Sequence, residues 1–242
     1  MLLTYALTFL CWGSFLNVVA FRLVRDEPLT GRSRCPHCTA TLSWYDLIPV
    51  LSWLMLRGKC RSCSQSICPL YPLIELVTAI LMCALVYLIP GYFASYFVLF
   101  SALIINTRSD LDTMLISRAT TLWLIPVALA CAAAGLLPIN LLESAAGSLF
   151  GFAVLYSVSW LFKRATDQEG LGQGDIDLIA MIGAFTGIAG AWWSLTIASI
   201  LGSAIGIAYL ATTGQGRMTR IPFGPFLAAG CIIYTLFGQL LM

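Results

Sequence analysis

Apolar residues fall into eight runs along the chain, and polar segments separate them. The runs cover residues 1–21, 70–89, 92–107, 119–137, 141–162, 176–190, 192–212 and 222–241. A helix needs about 20 mostly apolar residues to cross a bilayer, so the pattern is typical of transmembrane helices. The run at 176–190 is short, and we expect it to be tilted or to lie deep in the bundle. The pattern predicts an all-α integral membrane protein, a polytopic bundle of about eight transmembrane helices.

The composition supports the membrane prediction. Hydrophobic residues make up 60% of the 242 residues and charged residues only 10%, whereas a soluble domain contains about 25% charged residues. The first run begins without lysine or arginine, so it lacks the charged start of a signal peptide. We interpret residues 1–21 as a retained first transmembrane helix that contacts the lipid bilayer.

The positions of the 13 basic residues predict the orientation. With eight spans, all of them fall in segments on one side of the membrane and none on the other. These residues are Arg22, Arg25, Arg32, Arg34, Arg57, Lys59, Arg61, Arg108, Arg118, Lys163, Arg164, Arg217 and Arg220. Because short basic loops stay in the cytoplasm, we expect that side to be cytoplasmic and both termini to be periplasmic.

The polar segment at 22–69 contains two C-x-x-C knuckles. Their cysteines are Cys35 and Cys38 in the first and Cys60 and Cys63 in the second, with 21 residues between the knuckles. This spacing is close to that of four-thiolate zinc sites, in which each knuckle gives two ligands from a tight turn. Disulfide bonds are the alternative, but a reducing cytoplasm disfavours them. We expect a structural zinc ion, which would supply much of the folding energy of so small a loop.

Two features beside these knuckles each have two interpretations. Glu75 lies near the start of the second apolar run, where a carboxylate at membrane depth is a candidate functional residue. The alternative is an ion pair between Glu75 and an arginine of the loop. Residues 46–54 form an amphipathic, aromatic stretch, which is expected either to lie along the membrane surface or to pack on the zinc module.

Four aspartates at the ends of apolar runs are candidates for catalysis: Asp110, Asp112, Asp175 and Asp177. Two carboxylates brought close together in a partly dry site do not both ionise easily, so the pair holds a shared proton. An aspartic protease needs this arrangement. One carboxylate activates a water molecule, and the other protonates the carbonyl oxygen or the leaving nitrogen. The residue types alone do not decide which member of each pair would act.

The segment Gly172-Gln173-Gly174-Asp175 favours Asp175, because glycine lets the backbone turn sharply and approach its neighbours closely. By itself this motif is a weak signal. An interfacial loop whose aspartate caps the next helix has the same sequence. For Asp110 the alternative is a short cytoplasmic turn whose acidic residues are balanced by Arg108 and Arg118.

The combined motifs resemble those of a known family. In chain order they are Gly-Ser-Phe-Leu-Asn-Val-Val at 13–19, the paired knuckles, Asp-x-Asp at 110–112, Gly-x-Gly-Asp at 172–175 and Pro-Phe-Gly-Pro-Phe at 222–226. This order resembles the bacterial type IV prepilin peptidases, which are membrane aspartic proteases, and the resemblance covers nearly the whole chain. The sequence departs from it in three places. Ser117 stands where the family usually has proline, Asp177 where it often has lysine, and Cys68-Pro69-Leu70 where it more usually has Ser-x-Arg.

The resemblance implies an activity and its residues. Asp110 and Asp175 would be the catalytic pair, supported by the loop that contains Gly172 and Gly174. The substrates would be prepilins or type II secretion pseudopilins, cut after a short basic leader on the cytoplasmic side. The family often methylates the new N-terminus with S-adenosylmethionine, and Glu75 is a candidate methyltransferase or accessory residue.

These inferences predict three regions in a bacterial inner-membrane enzyme. Residues 1–21 would form the first transmembrane helix, 22–69 a cytoplasmic zinc-binding loop associated with methylation, and 70–242 a multi-span aspartic protease domain. The active site would face the cytoplasm, and we expect no nucleic acid among the partners. The sequence leaves the oligomeric state open.

Two other functions fit parts of the same pattern. A presenilin-like protease that cuts within transmembrane helices would also use a pair of aspartates. A non-catalytic membrane protein would use its zinc loop to dock components of a secretion system. Mutation of either aspartate separates these classes, because a docking protein would keep its function.

Overall fold

The structure, a computed structural model, describes residues 2–168, 170–213 and 221–238. Within these ranges lie eight α-helices: α1 (Leu2–Leu23), α2 (Leu51–Met55), α3 (Leu70–Leu88), α4 (Phe93–Thr113), α5 (Leu124–Ala133), α6 (Leu141–Thr166), α7 (Gln173–Thr213) and α8 (Gly224–Phe237). Apart from two isolated β-bridges in the cysteine-rich loop, the described residues contain no β-structure. The predicted all-α fold is confirmed. Arg217 and Arg220, which contribute to the orientation prediction, lie outside the described residues.

Five helices are long and apolar enough to cross a membrane, namely α1, α3, α4, α6 and α7. The remaining apolar helices are shorter, with 10 residues in α5 and 14 in α8. The helix ends differ from the predicted runs in one way that matters for the site. Helix α4 continues to Thr113 instead of ending at 107, so Asp110 lies inside a helix and not in a loop.

Helix α7 contains two of the predicted runs, because the chain reverses within it. Gly187 has φ 72° and ψ −173°, a left-handed conformation that favours glycine, and it separates the helical segments 173–186 and 188–213. A Cβ atom at Gly174 would lie 2.8 Å from Cβ of Ile116, and one at Gly224 would lie 3.2 Å from Cδ1 of the same isoleucine. A Cβ atom at Gly206 would lie 3.4 Å from Ile221. The start of α7 and its last turns therefore lie at the same end of the bundle, as separate spans require.

Small residues set the spacing between α6 and α7. A Cβ atom at Gly147 would overlap the backbone of Gly183 and Gly187, and one at Gly151 would lie 2.7 Å from the carbonyl oxygen of Ile179. The Ser144 hydroxyl donates a hydrogen bond to the carbonyl of Ala184 across the same interface. This close approach is the packing that G-x-x-x-G patterns produce in membrane helices.

The chain separates into two compact units, the first ending at Leu88 and the second beginning at Ile89. In the first unit, α3 packs along α1. For this reason the structural boundary falls after α3, whereas the sequence placed the start of the protease domain at residue 70. In the second unit, α7 packs against α5, α6 and α8, and α4 packs against α8.

The aromatic stretch of the first unit packs on the cysteine-rich loop. Trp53 donates a hydrogen bond from its indole nitrogen to the carbonyl of Ile67 at 3.1 Å, and its ring lies against Gly58. Asp46 forms an ion pair with Arg61 at 2.8 Å, inside the second knuckle. Of the two interpretations of residues 46–54, these contacts favour packing on the zinc module.

Candidate active site

Asp110 is held in the last turns of α4 by a contact with the start of α8. Its side chain is buried, and Oδ2 accepts a hydrogen bond of 2.9 Å from the backbone N–H of Gly224. Helix α4 ends at Thr113, and the next residue, Met114, adopts a left-handed conformation and donates its N–H to the carbonyl of Asp110. Both the backbone and the side chain of Asp110 are therefore fixed.

Gly224 is suited to this contact because it is the first residue of α8. The first N–H groups of a helix have no partner within the helix, and the helix dipole favours a negative charge beside them. A Cβ atom at Gly224 would lie 2.8 Å from Oδ2 of Asp110, so only glycine leaves room for the carboxylate. The N-terminus of α8 thus acts as an anion-binding group directed at Asp110.

Asp175 lies in the first turn of α7 and faces the same region. Asp110 and Asp175 are close enough for their charges to repel each other. The backbone N–H of Gly172 interacts with the Asp175 carboxylate. Oδ1 of Asp175 is buried and has no hydrogen-bond partner among the residues that the structure describes. Asp110 therefore accepts a hydrogen bond from a backbone N–H, whereas Asp175 has one buried oxygen that accepts none from that part of the chain.

The two competing aspartates are each paired with a basic or amide side chain. Asp112 is exposed and lies 3.3 Å from Arg108, one helical turn away. Asp177 is buried, accepts a hydrogen bond of 2.9 Å from Gln173 and lies 3.9 Å from Arg118. These contacts hold the carboxylates of Asp112 and Asp177 against other side chains. The geometry favours Asp110 and Asp175 as the reactive pair, which the family resemblance implies and the residue types alone left open.

Cys35, Cys38, Cys60 and Cys63 come together in the first unit, as the spacing predicted. Their sulfur atoms all lie within 4.8 Å of one another, and Cys35 and Cys60 are buried. The Sγ atoms of Cys35 and Cys63 are 3.9 Å apart, nearly twice the length of a disulfide bond. Four thiolates at about 2.3 Å from a common centre are the ligands that structural zinc prefers.

The two knuckles have the same local structure. In the first, Cys35 donates its N–H to Ala40 and accepts from Thr39, which adopts a left-handed conformation with φ 57°. In the second, Cys60 donates to Gln65 and accepts from Ser64, which has φ 59°. The repetition supports a common role for both turns as ligand carriers.

The pKa values of two of the thiols also fit a site for a cation. Backbone N–H groups of Cys63 and Ser62 lower the pKa of the Cys60 thiol to about 7. For Cys63 the backbone N–H of Gln65 lowers the pKa, but burial and the neighbouring thiols raise it further, to about 12 overall. Four adjacent thiols do not ionise together without a positive charge, and a bound metal ion supplies that charge.

Comparison with known proteins places the chain in a family. The Bacterial Peptidase A24 N-terminal domain matches residues 7–89, and the Type IV leader peptidase family matches residues 97–209. A prepilin leader peptidase/N-methyltransferase of Aeromonas hydrophila is 36% identical, with 94% of this chain and 87% of that protein covered. The chain belongs to the type IV leader peptidase family.

Other relatives within this leader peptidase family agree. A type 4 prepilin-like proteins leader peptide-processing enzyme of Escherichia coli O78:H11 is 35% identical, with 91% of this chain and 88% of that protein covered. A prepilin leader peptidase/N-methyltransferase of Pseudomonas aeruginosa is 33% identical, with 94% and 87% covered. No solved structure matches the chain. The two family regions correspond to the two structural units, which end and begin at residues 88 and 89.

Glu75 of this leader peptidase is a buried carboxylate in the second turn of α3. Its Oε2 accepts a hydrogen bond of 2.8 Å from the backbone N–H of Val50, and the Ser14 hydroxyl also interacts with it. Within the described part of the chain no arginine forms an ion pair with Glu75, so the alternative interpretation, an ion pair with a loop arginine, is not found. The carboxylate is instead held by neutral donors.

Sequence reasoning missed two residues that shape the site. Gly224 lies in Pro222-Phe223-Gly224-Pro225-Phe226, one of the motifs that carry the family resemblance, but nothing in that pattern identified its N–H as the partner of Asp110. Ile116 packs against both Gly174 and Gly224, and it belongs to none of the sequence motifs. Its role depends on the turn after α4, which only the folded chain reveals.

We expect Gly224→Ala to reduce the rate of leader cleavage by about 10²-fold, because the new methyl group displaces the Asp110 carboxylate and misplacement by about 1 Å has that cost. Thermal unfolding should change little, since Gly224 lies at a helix end. The measurement is the initial rate of cleavage of a purified prepilin in detergent.

Gly206→Ala is the matched control. It lies near the same end of the bundle, but its new Cβ atom would be at an ordinary distance of 3.4 Å from Ile221. We expect this variant to cleave at the wild-type rate. A Gly224→Ala protein that also cleaves at that rate would show that the α8 N-terminus does not position Asp110.

Proposed function

We propose that this protein is a membrane aspartic endopeptidase that removes the short basic leader of type IV prepilins or type II secretion pseudopilins. The observation that carries the proposal is the pairing of Asp110 with Asp175 at two helix ends, while Asp112 and Asp177 are engaged elsewhere. Family membership supports the reaction type, and the names of the relatives supply the substrate class. Asp110 and Asp175 are the catalytic residues, and Gly172 and Gly174 belong to the supporting loop.

The surroundings of the two aspartates suggest different roles. Asp110 receives the Gly224 N–H at a helix N-terminus, an arrangement that stabilises a carboxylate. Asp175 has a buried oxygen without a donor, an arrangement that suits a protonated acid. Asp110 therefore accepts a proton from the attacking water as the water oxygen bonds to the scissile carbonyl carbon. Asp175 donates its proton to the carbonyl oxygen, which gives a tetrahedral diol. Asp110 then passes the proton that it took from water to the leaving nitrogen as the C–N bond breaks, and Asp175 takes back a proton from a diol hydroxyl as the C=O bond re-forms.

The depth of the aspartates favours cleavage at the membrane surface. Asp110 lies three residues before Thr113, the last residue of α4, and Asp175 is the third residue of α7. A presenilin-like protease that cuts inside a transmembrane helix needs its carboxylates nearer the middle of a span. The positions at helix ends suit a substrate whose leader is extended just outside the bilayer.

The orientation follows from the positive-inside rule. The loops that carry the basic residues, including the segments around Asp110 and Asp175, lie on the cytoplasmic side, and both termini are periplasmic. This places the protein in the bacterial inner membrane with its active site facing the cytoplasm. Prepilins, whose leaders remain in the cytoplasm, meet the site from that side.

The cysteine cluster holds one structural zinc ion in the cytoplasmic loop, with Cys35, Cys38, Cys60 and Cys63 as ligands. S-adenosylmethionine, when bound, supplies an electrophilic methyl group for the N-methyltransferase activity that the names of several relatives include. We associate the first unit, which ends at Leu88, with this second activity, and the second unit, which begins at Ile89, with proteolysis. The zinc stabilises the loop and takes no part in peptide-bond cleavage.

We expect Asp110→Asn and Asp175→Asn each to abolish cleavage, because either change removes one of the two proton-transfer groups. General acid–base catalysis contributes about 10²–10⁴-fold, so the residual rate should fall at least by that factor. Asp112→Asn and Asp177→Asn are the matched controls, and they should keep substantial activity. The measurement is the conversion of a purified prepilin, analysed by mass. Loss of cleavage in the control variants only would move the assignment by two positions in each segment.

We expect elemental analysis to find about one zinc ion per chain, as a four-thiolate structural site holds. Cys38→Ser should lower this content and make the 22–69 loop more sensitive to protease, because zinc binding contributes folding energy. Cys83→Ser, which lies outside the cluster in α3, is the control and should change neither quantity. A metal-free wild-type protein with an equally protected loop would rule out the zinc site.

A further inference from the structure

The first unit contains a polar cluster where α1 and α3 approach most closely. A Cβ atom at Gly13 would lie 2.9 Å from Cα of Glu75 and 2.9 Å from Cβ of Thr78. The residues next along α1, Ser14 and Asn17, therefore face the first turns of α3. Leader cleavage as proposed above uses none of these side chains, yet buried polar groups in a membrane helix pair are costly unless they are satisfied.

The loop is bent to reach Glu75. Val50 has φ 62° and ψ −51°, and Leu51 donates its N–H to the carbonyl of Pro49 at 2.6 Å. These values define a γ-turn of the rare positive-φ type, which is strained for a β-branched residue. The turn directs the Val50 N–H at Glu75 Oε2. Strain of this kind persists where the surroundings require it, and functional sites are common examples.

Asn17 leaves one acceptor without a donor. Its side-chain nitrogen donates to the carbonyls of Gly13 at 3.3 Å and Tyr71 at 3.2 Å, which fixes the orientation of the amide. Its Oδ1 atom is buried and has no hydrogen-bond partner within the described residues. Tyr71 and Glu75 lie one helical turn apart on α3, so the open acceptor belongs to the same cluster.

A small cavity adjoins this cluster. Its volume is about 240 Å³, and its wall includes Ser14, a partner of Glu75, and Pro49, the neighbour of Val50. The remaining lining residues are Cys11, Phe15, Val18, Ser33 and Leu47. Ser14 connects the cavity to the Glu75 carboxylate behind it, and the aromatic ring of Phe15 forms part of the wall. A carboxylate, an open amide oxygen and an aromatic ring grouped in this way suit a small organic cation.

The type of cation follows from the open acceptor. Asn17 Oδ1 needs an N–H or O–H donor, and an ammonium group supplies three N–H donors. A sulfonium group supplies none, so the cluster suits an ammonium group and not the methyl-bearing sulfur of the donor. We infer that Glu75, Ser14 and Asn17 bind the α-ammonium group of the N-terminus that leader cleavage creates. This inference rests on the proposed function, and it assigns the site at which the new N-terminus is methylated after cleavage.

The chemistry of N-methylation requires a group with the properties of Glu75. An ammonium nitrogen has no lone pair, so one N–H bond must first break and its proton move to a carboxylate oxygen of Glu75. The freed lone pair then forms the N–CH3 bond as the bond from that methyl carbon to sulfur breaks, and those electrons remain on sulfur. The product is a secondary ammonium, and Glu75 later releases its proton to water.

The first test measures binding without any reaction. A mature pilin fragment that lacks its leader carries a fluorophore at its C-terminus, and its N-terminus is either free or acetylated. Fluorescence anisotropy reports binding to the purified full-length protein in detergent. We expect the free amine to bind about tenfold or more tightly than the acetylated one, the value of a hydrogen bond to a charged group. Glu75→Gln should remove this preference, and Ser14→Ala should weaken it.

Glu143→Gln is the matched control, because Glu143 caps the start of α6 in the second unit and should not affect the preference. Ser14→Ala removes only a hydroxyl group, so it tests the site with little risk to folding. Equal binding of the free and acetylated fragments to the wild type would overturn the inference, as would a preference that survives in both Glu75→Gln and Ser14→Ala.

The second test separates the two activities on an intact prepilin supplied with S-adenosylmethionine. We expect Glu75→Gln to cleave at the wild-type rate but to methylate the product about 10²-fold more slowly, the usual contribution of a general base. Equal methylation by both proteins would contradict the role of Glu75. An uncut prepilin with the wild type would instead contradict the proposed function, while the binding test would still decide the amine site. The binding test can also include competitors. If free lysine displaces the labelled fragment but unlabelled mature fragment does not, the cluster binds a side-chain amine and the inference is overturned.

Discussion

The hydrogen bond from the Gly224 N–H to Asp110 is the interaction on which the site depends. A carboxylate among apolar helices is costly unless a donor compensates it. Here the donor comes from a residue 114 positions away, at the start of α8. The bond joins the end of α4 to the start of α8, and Ile116 then packs both against the start of α7. Three helix ends are thereby fixed around two aspartates with unequal surroundings.

Close packing by small residues keeps these helix ends in place. Gly147 and Gly151 bring α6 against the first part of α7, and Gly230 brings α8 against the backbone of Ser194 in the second part. The reversal at Gly187 returns the chain to the end of the bundle where α8 begins. In the first unit Gly13 has the same role between α1 and α3. A polar cluster lies in each of these closely packed units. In the second unit it contains Asp110 and Asp175, and in the first unit it contains Glu75.

Much of the fold and part of the site could be predicted from the sequence. The apolar runs predicted the helices, because membrane helices need long apolar segments, and the knuckle spacing predicted the thiol cluster, because its ligands are local. The residue types alone could not predict the choice of Asp110 over Asp112, which only the family resemblance indicated. This choice depends on an ion pair between Asp112 and Arg108 and on the distant Gly224. The turn at Val50 was also hidden, because its strained conformation contradicts the preference of valine. Long-range contacts decide these features, and no local pattern encodes them.

The position of the cut tests the central claim most directly. The carboxylates lie at helix ends and are flanked by Gly172, Gly174 and Gly224, so the leader must be extended there and a small residue must precede the scissile bond. The measurement is the mass of the products when the reconstituted protein acts on a prepilin with glycine before the cut, and on the same prepilin with leucine there. We predict one cut that releases the intact leader from the glycine substrate, and much slower cleavage of the leucine substrate. Efficient cleavage of the leucine substrate, or a cut several residues inside the apolar helix, would contradict a dyad at the membrane surface.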